Sequence, residues 1–314
     1  MQYNNLGWSG LKVSRICLGT NMFGADYVDD DRALSVIDTA SDRGINFIDT
    51  ADMYNDGRSE EVVGRGIHGR RQEFVIATKG YSSMGPGPND RGSSRKHLRD
   101  AVEASLHRLG TEYIDLYLLH FWDPDAPLEE SLQALDEMVI EGKIRYVGCC
   151  NFTGWQLAEA VWIARTRGFS QLVVIQPEYN FARREIENDV FPFAEHHGIG
   201  VTPYQLLMGG MLTGSYALGK EPPPDSHMAT RHAGAARKKY WSQACFKLVE
   251  RVKDLAESCN LTPVQVALAW AVSKSFVSSV IVGASRPSQL IQNAEAAGLT
   301  LPKEVLGELD QLTV

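Results

Sequence analysis

The sequence predicts a (β/α)8 barrel, and three observations carry that expectation. Short β-type runs alternate with longer helix-type runs almost from end to end, giving eight strand candidates with a helix behind each. The strand candidates are apolar on both faces, as Val173-Val174-Ile175 and Val280-Ile281-Val282 show, which suits a parallel sheet covered on both sides. The competing fold, an open doubly wound sheet built for a dinucleotide, wants G-x-G-x-x-G after its first strand. Gly19-Thr20-Asn21-Met22-Phe23-Gly24 lacks the middle glycine.

The elements follow in order. Gln2 to Asn5 and Lys12-Val13 flank Gly7 and Gly10 and read as a hairpin, expected to close the barrel floor. Ile16 to Gly19 is the first barrel strand, followed by a helix from about Asp30 to Arg43 that Gly44 stops. Asn46 to Ile48 precedes a short helix at Ser59 to Ile67. Phe74 to Ala77 precedes Ser93 to Leu109, whose Ser-rich start and Gly110 stop are cap signals. Ile114 to Leu119 leads to Leu128 to Glu141, Ile144 to Cys149 to Gly154 to Arg167, and Leu172 to Ile175 to Arg184 to His196. Ile199 to Thr202 opens a long loop, Gly209 to Tyr240, before Gln243 to Ser258 and Thr262 to Lys274. Ser278 to Val282 and Pro287 to Ala297 make the eighth pair, and a further helix starts near Pro302. The loops Ser82 to Ser93 and Gly209 to Tyr240 are long for a compact barrel and are expected to carry function. No linker or low-complexity tract interrupts the chain. Barrels run past ~250 residues as one unit, so the 314 residues are expected to form a single domain, 1–314.

Composition bounds the rest. Apolar residues make up 44% and charged residues 22%, ordinary for a globular chain, which excludes a fibre or a disordered chain. With 31 basic against 39 acidic residues the net charge is −8, which repels a phosphate backbone. The one basic cluster, Arg237-Lys238-Lys239, reads as a solvated loop, so no nucleic-acid partner is expected. Five cysteines at 17, 149, 150, 245 and 259 include no C-x-x-C and suit a reducing compartment. The N-terminus, Met1-Gln2-Tyr3-Asn4-Asn5, lacks a basic n-region and an apolar h-region, so a secretory signal is not expected, and no apolar run reaches the ~18 residues of a membrane span. A cytoplasmic protein without a membrane partner is the expectation.

Barrel chemistry sits where strands end. Asp49-Thr50-Ala51-Asp52-Met53-Tyr54 follows the second strand, Thr78-Lys79-Gly80-Tyr81 the third and His120-Phe121-Trp122 the fourth. An acid, a lysine, a tyrosine and a histidine should therefore converge on one rim. Asp49 and Lys79 are expected to pair, since neither charge tolerates isolated burial. A cation beside Tyr54 should lower its pKa and make it a proton donor, with His120 orienting a carbonyl oxygen. Taken singly, each has an ordinary reading: Asp49 capping a turn, Tyr54 filling space, Lys79 and His120 on loops. Their placement on consecutive strand ends favours chemistry.

These residues sit in motifs that resemble one family. Phe47-Ile48-Asp49-Thr50-Ala51-Asp52-Met53-Tyr54 with Gly57-Arg58-Ser59-Glu60 closely resembles the first signature of the aldo-keto reductases. Asp115 to His120 is similar to their second, Gly142 to Gly148 with Cys150-Asn151-Phe152 to their fifth-strand motif, and Gln176 to Asn180 to their sixth-strand segment. The resemblance spans essentially the whole chain. It implies a (β/α)8 barrel that uses NADP(H) to interconvert aldehydes or ketones and alcohols, with Tyr54 as general acid/base, Asp49 and Lys79 tuning it and His120 placing the carbonyl.

The same resemblance implies the cofactor contacts. Gly19, Thr20, Asn21 and Asp49 match positions near the nicotinamide ribose, and Cys150, Asn151 and Gln176 match those that hold the carboxamide. Tyr204 matches the ring that stacks on the nicotinamide, while Gln205, Leu206, Leu207 and Gly209 align with the pyrophosphate cradle. Gly283, Ser285, Arg286, Gln289, Gln292 and Asn293 match the segment around the adenosine 2′-phosphate, where a helix starting at Pro287 offers free N–H groups to an anion. Three positions depart from the family: Cys150 replaces a serine, Gln205-Leu206 replaces Ser-Pro, and Ser215 replaces a phosphate-clamping lysine, with Lys220 as a candidate substitute. Met22, Phe23, Tyr81, Met84 and Trp122, with Tyr54 and His120, are expected to line an apolar substrate pocket, although such residues also fill ordinary cores.

By its long seventh-strand loop the chain is also similar to the branch that includes potassium-channel β subunits and bacterial sugar or aryl-aldehyde reductases, which implies an alternative: a regulatory subunit that keeps the cofactor pocket as a sensor. By the resemblance that group carries asparagine at the histidine position, whereas this chain has His120. Metal-dependent hydrolysis is a third idea, resting on His196-His197 and His120. Adjacent helical residues point in different directions and seldom share an ion, so no metal is expected.

Overall fold

In the computed structural model, which describes residues 1–25, 28–224, 226–229 and 234–312, eight parallel strands follow one another around a single sheet. They are β3 (Ile16–Gly19), β4 (Phe47–Asp49), β5 (Val75–Gly80), β6 (Ile114–Leu119), β7 (Ile144–Cys150), β8 (Leu172–Gln176), β9 (Gly200–Val201) and β10 (Val280–Gly283), with β10 also paired to β3. The remaining seam is closed by hydrogen bonds between the last strand pair. Val201 N donates to Phe276 O at 3.2 Å, Ser278 N to Val201 O at 2.9 Å, and Ile281 N to Pro203 O at 2.9 Å. The sheet thus closes into the expected (β/α)8 barrel.

Alternation along the strands divides the core in two. Cys17, Phe47, Val75, Ala77, Leu116, Leu118 and Val174 pack inside the barrel, whereas Ile16, Leu18, Ile48, Ile76 and Ile175 face the helices. Continuing the inward set by two residues at each strand top reaches Asp49, Lys79, His120 and Gln176. The hairpin of β1 (Tyr3–Asn5) and β2 (Lys12–Ser14) contributes Leu6 and Val13 to the inner cluster and so closes the floor. Gly7 makes that fit possible: its φ is +58°, and a Cβ there would lie 2.3 Å from Val173 O and 2.5 Å from Gly200 N.

The surrounding helices are α1 (Asp30–Asp42), α2 (Arg58–Ile67), α3 (Arg95–Leu109), α4 (Leu128–Ile140), α5 (Gly154–Arg167), α6 (Val190–His197), α7 (Gly234–Tyr240), α8 (Gln243–Ser258), α9 (Pro263–Val272), α10 (Pro287–Ala296) and α11 (Lys303–Gln311). Their ends carry the expected caps. Ser94 Oγ accepts from His97 N, and Gly110 closes α3 in the left-handed region. Thr262 and Gln265 form a reciprocal capping box on α9.

Two expectations need correction. The helix expected over Arg184 to His196 is split into a 3-10 turn at Glu185–Glu187 and α6. Pro192 lacks an N–H and crowds the carbonyl four residues back, so it is tolerated only in a first turn, and Asp189 supplies the new N-cap. Arg237-Lys238-Lys239 lies on α7 rather than in a loop, with Lys239 paired to Glu178 at 2.5 Å and Arg237 to Glu221 at 2.8 Å. Among the described residues no helix is long and apolar enough to cross a membrane.

Candidate active site

Four side chains meet at the top of the barrel. Asp49 ends β4, Lys79 is the penultimate residue of β5, His120 follows β6, and Tyr54 stands on the turn between β4 and α2. Lys79 is fully buried and its Nζ donates to Asp49 Oδ1 at 2.7 Å, to the Thr50 carbonyl at 2.7 Å and to the Tyr54 hydroxyl at 3.4 Å. All three ammonium hydrogens are thereby used. Asp49 Oδ2 accepts from Gln176 Nε2 at 2.8 Å, so the carboxylate too is held on both oxygens. The rings of Tyr54 and His120 meet edge to face at 6.2 Å, and His120 stacks on Phe121 at 4.7 Å. A buried ion pair of this kind is sustained by its extra hydrogen bonds rather than by attraction alone.

The electrostatics correct one expectation. Burial pushes the Tyr54 hydroxyl up to about 12, and the Lys79 ammonium opposes that rise without reversing it. Tyr54 is therefore a neutral proton donor near neutral pH, and Lys79 restrains a pKa that the pocket raises instead of bringing it below the ordinary value. For Lys79 burial is the largest single influence and acts downward, but Asp49, by charge and hydrogen bond, together with Tyr54 and Cys150 outweighs it and keeps the amine charged. Burial, reinforced by Lys79, lowers His120 to about 3, so the imidazole is neutral.

A second layer holds these groups. Thr20 Oγ1 donates to the Asp49 carbonyl at 2.9 Å and meets Ser59 Oγ at 2.8 Å, which also meets Thr50 Oγ1 at 2.9 Å. Glu60, fully buried, accepts from Thr78 Oγ1 and from Arg108 Nε, each at 2.6 Å. Asp52 is buried beside this pair, and burial followed by the Glu60 charge raises its carboxyl to about 7. Ser59 and Glu60 lay within the first sequence motif, but their supporting role is visible only once α2 is folded against β5.

The tetrad opens into a cavity of about 720 Å3 that runs from Met22 and Phe121 to the start of α10. Asn151 and Tyr204 form one wall: Tyr204 OH donates to Asn151 Oδ1 at 2.6 Å, and Asn151 Nδ2 donates to the His120 carbonyl at 3.2 Å. Cys150, Gln176, Gly19, Thr20 and Asn21 line the same end. Beyond them Gln205 to Gly210 turn sharply, with φ of +61° at Gln205, +53° at Met208, +66° at Gly209 and +92° at Gly210. Gln205 Oε1 accepts from Gly209 N at 2.9 Å. Leu206 and Leu207 complete that wall, and Gly283, Ser285, Arg286, Gln289, Gln292 and Asn293 line the far end. The lining suits a long ligand that ends in an anionic group, with Arg286 beside the first turn of α10 at the far end.

Part of the expected substrate wall lies elsewhere. Phe23 is fully buried in the outer core. Trp122 packs edge-on to Phe152 at 5.4 Å and Trp155 at 5.1 Å, away from the cavity wall. Tyr81 and Met84 do not line the cavity either, and Tyr81 touches it indirectly through Phe121 at 5.5 Å. Met22, Tyr54 and His120 do line it, and Phe121 joins them. Period-two alternation sends Phe121 away from the barrel axis, but the chain has left β6 by then, which is why strand reasoning missed it. His196 and His197 sit on α6 with rings 89° apart, and among the described residues they form no cluster of three potential metal ligands with His120.

A barrel with these groups at its carboxyl end defines a class of oxidoreductase that works on small molecules in a long cavity. The aldo/keto reductase family model matches residues 15–314, and the chain belongs to the aldo/keto reductase family. It is 37% identical to a probable voltage-gated potassium channel subunit beta of Arabidopsis thaliana, an alignment covering 99% of this chain and 96% of that protein. An uncharacterized oxidoreductase of Bacillus subtilis, YrpG, is also 37% identical, over 99% of this chain and 96% of its own length. Norsolorinic acid reductase of Aspergillus flavus is 31% identical over 96% of this chain and 78% of its own.

Proposed function

We propose that the protein interconverts aldehydes or ketones and alcohols with NADP(H), acting as one domain over residues 1–314. The observation that carries this reading is the Lys79 ammonium bridging the Asp49 carboxylate and the Tyr54 hydroxyl at the wall of the cavity. A bound nicotinamide supplies the hydride for reduction and accepts it in oxidation. In reduction the carbonyl carbon gains the hydride while the Tyr54 hydroxyl gives its proton to the carbonyl oxygen; oxidation runs the same transfers backwards. Lys79 steadies the phenolate left on Tyr54. Neutral His120 directs a ring N–H at the carbonyl oxygen and fixes its approach. Asn151 and Gln176 stand where a carboxamide would be held, and Tyr204 offers its ring as a stacking face. Arg286 and the start of α10 favour a 2′-phosphate, hence NADP(H) over NAD(H). All five cysteines are free, which fits a cytoplasmic setting.

Tyr54→Phe tests the proposal, because the ring stays and only the proton donor goes. Turnover should fall by ~10² or more while NADPH still quenches tryptophan fluorescence. Near wild-type turnover in that variant removes Tyr54 from the chemistry. Likeness to the plant potassium-channel β subunit supports a second reading, a cofactor-sensing regulatory subunit. Tight NADPH binding by the wild type without turnover on any aryl, sugar or steroid carbonyl would favour it.

A further inference from the structure

The cavity ends in one cation where its expected ligand has phosphates at two places. Among the described residues, the basic side chains lining it are His120 at the tetrad, Arg286 at the far end and His227 between them. Ser215, which takes the place of the expected lysine, also lines the wall, but its side chain carries no charge. Lys220, the sequence candidate for that role, is solvent-exposed and lies off the wall.

His227 is held over the cavity by its neighbours. Met228 is fully buried, its N–H donates to the Tyr216 hydroxyl at 3.2 Å, and its Cε sits where a Cβ on Gly209 would be, 2.6 Å away. Ser226 is tied to the Pro223 carbonyl through both N and Oγ, at 3.0 and 2.6 Å. Tyr216 packs on Trp241 at 5.5 Å, which anchors the other end of the segment. Tyr216 and residues 226–229 are thus clamped to the left-handed turn at Gly209-Gly210, and Pro223, Ser226 and His227 line the cavity together with Thr213 and Ser215. Through Met228 this wall lies against Gly209, at the end of the Gln205–Gly209 turn that is the expected diphosphate cradle.

We propose that His227 is a cofactor-binding residue that contacts the diphosphate of the dinucleotide, doing with an imidazole what a lysine at 215 would do. This rests on the dinucleotide reading above. An imidazole ring N–H donates to a phosphate oxygen, and the ring adds positive charge when protonated. The diphosphate is common to both nicotinamide dinucleotides, whereas the 2′-phosphate belongs to one, so His227 and Arg286 make different demands. His227 acts on both cofactors equally; Arg286 acts on one.

The experiment titrates NADPH and NADH into wild type, His227→Gln, His227→Lys and Arg286→Ala, each checked for folding by circular dichroism and read by quenching of tryptophan fluorescence. His227→Gln should weaken both dinucleotides by a similar factor, on the order of ten, and His227→Lys should restore both. Arg286→Ala should weaken NADPH alone. Unchanged affinity in His227→Gln, a loss confined to NADPH, or a loss that lysine fails to restore would each overturn the assignment. Wild type that binds neither dinucleotide sinks the underlying functional reading instead, and so is told apart from failure of His227 alone.

Discussion

Lys79 has three donors and three acceptors, and that complete set makes its replacement informative. Lys79→Met strands Asp49 as a buried acid held only by Gln176, which should cost about 3–5 kcal/mol of stability. It also removes the one cation that restrains Tyr54, so the pH dependence of any surviving oxidation should move upward. Replacing Asp49 as well should recover part of the stability and none of the turnover, which a double-mutant cycle read by thermal unfolding and by a pH–rate profile will show. An unfolding change with an unmoved pH profile would make the pair scaffolding only. At this scale the sequence was informative about position and silent about depth. Asp49, Lys79 and His120 were legible because two-residue alternation projects them into the barrel from neighbouring strands. The net direction of the Tyr54 shift was not, because it depends on how thoroughly the surrounding loops exclude water. The same blindness put Phe23 on the substrate wall in place of Phe121.

Among the elements, α10 and the floor hairpin each yield an expectation. Arg286 stands at the N-cap of α10 with its backbone extended, its side chain free of any capping bond and directed to the cavity wall. Arg286→Ala should reduce NADPH affinity by ~10-fold and leave NADH affinity nearly unchanged; equal losses would place the 2′-phosphate elsewhere. Gly7 occupies a left-handed turn against two backbone atoms of β8 and β9. Gly7→Ala should therefore destabilise by at least ~2 kcal/mol, visible as a lowered unfolding temperature with the cofactor contacts untouched. Most element boundaries were readable because caps and periodicity agree, as at Ser94, Gly110 and Thr262. Pro192 was the signal overlooked in the split helix. The short helix α7 was hidden because Pro222-Pro223-Pro224 and the basic triplet both suggest loop, while its order comes from Tyr240 donating to the distant Glu178.

For the molecule as a whole, Asp52 sets a pH dependence of folding. Its carboxyl is raised to about 7 in the fold against an ordinary value near 3.8, so the folded state retains a proton that the unfolded chain has released. The stability it contributes is complete below about pH 4 and is lost as pH rises through 7, by roughly 4 kcal/mol at most. Asp52→Asn should flatten this slope in denaturant melts taken from pH 4 to 8; an unchanged slope would assign it to other groups. The barrel itself was legible from its strand count and two-faced apolar runs, but its closure was not. β9 has two residues, and the rungs across the seam come from irregular chain that no periodicity marks.

That short seam gives a bound ligand a second effect. The cavity is walled on one flank by residues that follow β9, Tyr204 to Leu207, and on the other by Ile281 to Gly283 of β10. Anything that grips both flanks works as a hoop around the barrel's shortest stave. Filling the cavity should slow deuterium uptake at the amides of Val201, Ser278 and Ile281, although none of them is expected to touch the ligand through its N–H, and should leave the long-strand seam between β6 and β7 as it was. Occupancy would then be felt as resistance to opening on the side of the barrel where the fewest rungs hold it shut.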